Sequence, residues 1–148
     1  SKVAPRSLDL AMSLSDQGLL ELADGKKDAA QKALERSLEL MTTLAPGSVY
    51  EATVRGNLGK VHVRSGRDAE ARQQLKLARD LQERFAPTSV ALARILGLSA
   101  RVEHRLGNRP EARRLAAQGW EVVRREGGEH LGEEAALGRG AFGDWFLA

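Results

Sequence analysis

The chain has 148 residues, 42% hydrophobic but only 4% aromatic, with 23 basic against 20 acidic side chains and no cysteine. That length makes one domain, and the lack of cysteine excludes a disulfide frame or a thiolate metal site, in keeping with a reducing compartment. No apolar run approaches the ~18–20 residues that span a bilayer and the first residues lack a signal-peptide core, so the expected location is cytoplasmic.

In chain order, one tetrapeptide frame returns three times: Ala4-Pro5-Arg6-Ser7, Ala45-Pro46-Gly47-Ser48 and Ala86-Pro87-Thr88-Ser89, each followed by an aliphatic residue, Leu8, Val49 or Val90. The spacing is 41 residues, and it is kept by Gly25, Gly66 and Gly107, by Ala30, Ala71 and Ala112, and by Gly18, Gly59 and Ala100. A fixed period of this size predicts a solenoid, in which no unit can bury its own apolar face and stacking supplies the core. Within the central unit a first helix is predicted over 49–64, with Val54, Leu58, Val61 and Val63 as its apolar positions. Ser48 caps its start, and Gly66 takes the C-terminal position where positive φ costs little. A second helix is predicted over 68–84, with Ala71, Leu75, Ala78 and Leu81 on one face. Translation by 41 gives three hairpins, over 4–44, 45–85 and 86–126, and a closing helix within 127–148. Because the chain starts at the first unit and stops partway into a fourth, a piece of a longer protein is one expectation.

The unit resembles a tetratricopeptide repeat of the longer, kinesin-light-chain type. That family keeps small residues at repeat positions 8, 15, 20 and 27, which here read Gly18, Gly25, Ala30 and Ser37; Gly59, Gly66, Ala71 and Ala78; Ala100, Gly107, Ala112 and Gly119. Asn57-Leu58-Gly59 also matches, and the proline junctions at Pro46 and Pro87 resemble the family's linkers. Two positions depart: Glu21, His62 and Glu103 stand where Tyr is common, and Leu14 and Arg55 where Trp is. HEAT repeats share the period but not these small-residue slots. The resemblance covers nearly the whole chain. It implies an all-α, right-handed α-solenoid of three helix-turn-helix repeats with a C-terminal capping helix, forming a single domain over 1–148.

It also implies a scaffold rather than an enzyme, holding a peptide or partner domain in a concave groove lined by the first helices. By register the groove positions include Asn57, Lys60 and Arg64 in the central unit and Arg94, Arg101, His104 and Arg105 in the third. A solvated face is the plainer account of these charges; their recurrence in neighbouring repeats favours binding. Residues 45–126 sum to +7, between −2 over 4–44 and −3 over 127–148, so an acidic protein or peptide is the expected partner. The competing account of the basic middle is an Arg-rich composition of 17 Arg to 6 Lys. The rival functional reading is a regulatory or sensory segment of a larger signalling enzyme, to which repeats of this kind are often fused.

Other chemistries find little support. The carboxylate-clamp subtype, which grips chaperone C-termini, is matched by Asn57 and Arg94, but Ser15, Leu19 and Leu98 replace its other cations and Asn. His62, His104 and His130 are scattered, with no Cys or clustered carboxylates to complete a metal shell, so no metal, cofactor or catalytic residue is assigned. Nucleic acid would meet no aromatic stacking platform in the basic middle. Three of the six aromatic residues, Phe142, Trp145 and Phe146, fall in the closing helix. They are expected to cap the array over Ala116, Ala117 and Gly119, a homodimer through that helix being the alternative.

Overall fold

The computed structural model describes residues 3–127, which form six helices: α1 (Val3–Ala23), α2 (Lys27–Leu44), α3 (Val49–Arg64), α4 (Asp68–Phe85), α5 (Val90–Arg105) and α6 (Arg109–Gly127). Among the described residues there is no strand, so the chain is all-α, as the period predicts. Contacts divide it into two compact units, Ser1–Leu81 and Gln82–Ala148, and α4 runs across the division. The expected closing helix lies outside the described residues.

The helix ends follow from the repeated residues. The Ser48 hydroxyl accepts a 3.1 Å bond from the Glu51 amide and the Ser89 hydroxyl one of 3.1 Å from the Leu92 amide, each satisfying an N–H that the first turn leaves without an acceptor. At the other ends Gly25, Gly66 and Gly107 have φ of 79°, 73° and 88°. The next residue's N–H reaches back five residues in every case: Lys26 to the Glu21 carbonyl at 2.8 Å, Arg67 to His62 at 2.9 Å, Asn108 to Glu103 at 2.8 Å. The glycine N–H closes the inner ring onto Leu22, Val63 and His104 at 3.0–3.2 Å. These are three Schellman motifs, which need a left-handed residue that only glycine supplies cheaply.

One start differs from the repeat. The period places the first helix after the Ala-Pro-Arg-Ser frame, whereas α1 begins at Val3 and includes that frame. Pro5 then falls in the first turn, where backbone N–H groups have no intrahelical acceptor and a proline costs no bond. Pro46 and Pro87 instead follow the last residues of α2 and α4, and the helical bonds end one residue earlier, with Ala45 N–H on Met41 O and Ala86 N–H on Gln82 O.

In the first unit α1 packs on α2, α2 on α3, and α1 also touches α3. The core joins Ala11 and Leu22 of α1, Ala30, Leu34 and Met41 of α2, and Val54, Leu58 and Val61 of α3. The small-residue slots mark the closest approaches: a Cβ built on Gly18 would stand 2.6 Å from Leu34 Cγ. Ala30 and Ala71 are both fully buried. Ser37, in a third such slot, donates its hydroxyl to the Ala11 carbonyl, so a polar side chain is buried there without losing its bond. In the second unit α5 packs on α6 through Leu92, Ala93, Leu96 and Ala100 against Leu115, Ala116, Val122 and Val123, with Trp120 alongside. Of the helix positions predicted to be buried, Leu81 alone is only half-buried, the others in α3 and α4 being buried.

Candidate partner-binding faces

At 100° per residue, Arg94, Arg101, His104 and Arg105 fall on one side of α5, and Leu92, Leu96, Ser99 and Glu103 on the other. The burial agrees: the first four are exposed and the second four buried. The basic stripe from Arg94 to Arg105 is therefore the solvent face left when α5 seats on α6, and it runs roughly 16 Å at about 1.5 Å per residue. Arg94 and Arg101 make no ion pair among the described residues. The arginines of α6 are partly committed locally: Arg114 to Glu111 at 2.7 Å, Arg124 and Arg125 to Glu121 at 2.7 and 3.3 Å. Such exposed pairs contribute little to stability but neutralise their own charges.

The corresponding positions of the first unit behave differently. Arg64 is exposed and Lys60 half-buried. Asn57 is half-buried, and its amide nitrogen donates a 3.0 Å bond to the hydroxyl of Ser15, itself 1% exposed, so it ties α3 to α1. Its place in the Asn-Leu-Gly motif thus marks a packing role. The same bond fixes Ser15 as a buried structural residue where the carboxylate clamp would need a cation. The basic positions of α3 and those of α5 belong to different units, and each unit presents its own set. Phe142, Trp145 and Phe146 lie outside the described residues.

The slots that depart from Tyr all hold polar side chains at the base of a Schellman turn. Glu103 is buried and accepts from Asn108 Nδ2 at 2.7 Å, while Glu21 Oε2 lies 3.8 Å from Lys26 Nζ. His62 is 6% exposed, and its Nδ1 is buried with no hydrogen-bond partner. Burial, the main cause, and the Arg67 charge hold the imidazole below its ordinary value against the opposing pull of Glu70 and Glu35. His62 is on the side of α3 away from Asn57, Lys60 and Arg64, about half a turn round at 100° per residue. Sequence reading gave it no role, because its surroundings come from α2 and α4.

Glu51 shows the opposite balance. Burial raises its carboxyl, but a 2.8 Å bond from Arg55 Nε, the Gly47 N–H at 3.1 Å and the Arg55 charge together pull it below the ordinary value. Arg55, in the slot where Trp is common, also donates to Gln74 Oε1 of α4 at 2.9 Å and so replaces an aromatic packing contact with a polar bridge. Among the described residues no three His, Asp or Glu side chains are grouped to hold a metal ion, and no helix is long and apolar enough to cross a membrane.

Helix hairpins joined by glycine turns, with small residues at the closest contacts recurring every 41 residues, define an all-α helical repeat protein. The family model for the tetratricopeptide repeat matches residues 9–84 and again 50–125, and the chain belongs to that family. No curated protein matches it. Tetratricopeptide repeats are in general modules of protein–protein interaction.

Proposed function

We propose that this chain is a docking module whose first helices bind acidic protein segments, with Asn57, Lys60 and Arg64 of α3 as the contacting positions of one unit and Arg94, Arg101, His104 and Arg105 of α5 as those of the other. The observation that carries the reading is the exposed basic stripe of α5, which opposes the buried face of the same helix and holds two arginines with no ion pair among the described residues. Such a stripe attracts an acidic segment at long range and then offers planar, bidentate donors to its carboxylates. The module holds its partner and performs no chemistry on it.

The test is fluorescence polarisation of a labelled Asp/Glu-rich peptide against its Lys/Arg-rich counterpart, with the full chain and with an R64E/R101E variant. The acidic peptide should bind preferentially, more weakly as salt rises, and several-fold more weakly to the variant, while helicity and melting temperature stay nearly constant because exposed charges add little stability. Equal affinity for both peptides, or for both proteins, sinks the reading.

A further inference from the structure

We propose that the open cleft between α2, α3 and α4 of the first unit is a second binding site, which takes the guanidinium of an arginine side chain from a partner protein. The cleft encloses about 590 Å³. Glu35 and Glu39 line it from α2 and Glu70 from α4, with Leu58 and His62 of α3 between them. None of the groove positions of α3 borders it, so it is separate from the face proposed above for an acidic partner.

Its charges favour a cation. Arg55 is held by Glu51 and Gln74, and its charge is matched by the Glu51 carboxylate 2.8 Å away. Arg67 donates to Gln31 and is the remaining cation of the lining. Against it stand three carboxylates: Glu35, which accepts a bond from Gln31 at 2.6 Å, and Glu39 and Glu70, which make no ion pair among the described residues. The cleft therefore keeps negative charge that its own residues leave unmatched.

His62 supplies the independent observation. A side chain 6% exposed, with a buried Nδ1 that lacks any partner, is a rare arrangement in a packed protein, where buried polar atoms are almost always bonded. The ring lines the cleft while its Nδ1 is closed to solvent, so an incoming N–H donor completes the missing bond by drawing that nitrogen toward the cleft. Burial also keeps the imidazole largely neutral at neutral pH, so it does not repel a cation.

Guanidinium suits the lining better than ammonium. It presents five donors in a flat fork, enough for carboxylates of two helices and a ring nitrogen at once, and it is the more weakly hydrated of the two cations. Leu38, a half-buried lining residue, offers apolar surface for the methylene stem.

The test is NMR titration of the full chain with N-acetyl-arginine methylamide, with the lysine and glutamate analogues as parallel arms. Expected are saturable shifts of the His62 ring signals and of amides around Glu39 and Glu70, several-fold weaker binding of the lysine analogue, and no response to the glutamate analogue. The E39Q/E70Q variant, altered at two exposed positions, should keep its fold and lose the response, whereas R64E should retain it. The proposal is overturned by any of three results: no saturable change at His62, an unchanged response in the double variant, or binding of the lysine or glutamate analogue as tight as that of arginine. Because the acidic-peptide assay reads a different face, failure of either proposal leaves the other standing.

Discussion

Leu75 of α4 fills the space that a side chain on Gly59 of α3 would need: a Cβ at that glycine would lie 2.6 Å from Leu75 Cδ2 and 2.7 Å from Cγ. Both atoms are closer than real Cβ contacts come, and the Cγ branch point has less freedom to retreat than a terminal methyl. Alanine at position 59 gains up to ~1 kcal/mol of helix propensity over glycine, yet overpacking typically costs about 1–3 kcal/mol. The expected result for Gly59→Ala is net destabilisation. A double-mutant cycle with Leu75→Ala should show coupling of roughly 0.5–3 kcal/mol, the second change relieving the first. Strict additivity in chemical denaturation would show that the contact is not close.

Position 71 extends the same reasoning to a residue with no side chain beyond Cβ. Ala71 is fully buried, so Ala71→Leu should cost about 1–3 kcal/mol or more, whereas Arg67→Ala, at an exposed turn residue bonded to Gln31, should cost under about 0.5 kcal/mol. Equal melting temperatures for the two variants would contradict the helix register.

The serine caps share one bond, each accepting from the amide three residues on at 3.1 Å, while Ser48 also donates to the Ala45 carbonyl at 2.6 Å and Ser89 also accepts from Gln82 Nε2 at 3.0 Å. Ser48→Ala and Ser89→Ala should each lose about 1 kcal/mol, and Ser→Gly at the same sites only a few tenths. Urea unfolding of the four variants checks this. Alanine and glycine variants of equal stability would mean that the hydroxyls are not capping.

Acid should weaken the fold through His62. Its imidazole lies below the ordinary value of 6.5 in the folded protein, so the unfolded chain binds the proton more readily. The stabilisation is complete above the unfolded value and is lost as pH falls through it toward the folded one. Glu70 and Glu35 moderate the effect and Arg67 adds to it. Melting temperature should therefore fall as pH drops below about 6.5, and His62→Gln should flatten part of that slope. An identical slope in the variant would contradict the assignment. Glu51 acts further down, its contribution fading as pH drops below the ordinary carboxyl value of 4.5.

Much of the fold was legible because it is built from local rules repeated in register. The serines before α3 and α5 and the glycines after α1, α3 and α5 act within a few residues of themselves, so their spacing alone gives the helix bounds. The start of α1 escaped that reading, since a proline tolerates a first turn as well as it ends a helix. On α5 the exposed basic face follows from helical geometry alone and was readable. Asn57 was readable only in part: its motif marks a position on α3, while the bond to Ser15 depends on how α1 lies against that helix. The cleft was not readable at all. Its carboxylates and imidazole are spread over residues 35–70 and meet only when three helices pack. Nothing in the run of sequence around His62 distinguishes a lining histidine from a core one.

Every residue of the first unit's core cluster comes from the first 61 positions, drawn from three consecutive helices. A ribosome delivers the chain in that same order, at about 5–20 residues per second. That cluster can thus close while the residues after it are still being made, before α4 adds Ala71, Leu75 and Ala78 to the buried set. Part of the apolar surface that would invite aggregation is then hidden early, and a stalled or shortened nascent chain that has released α1 to α3 already carries every side chain of that cluster.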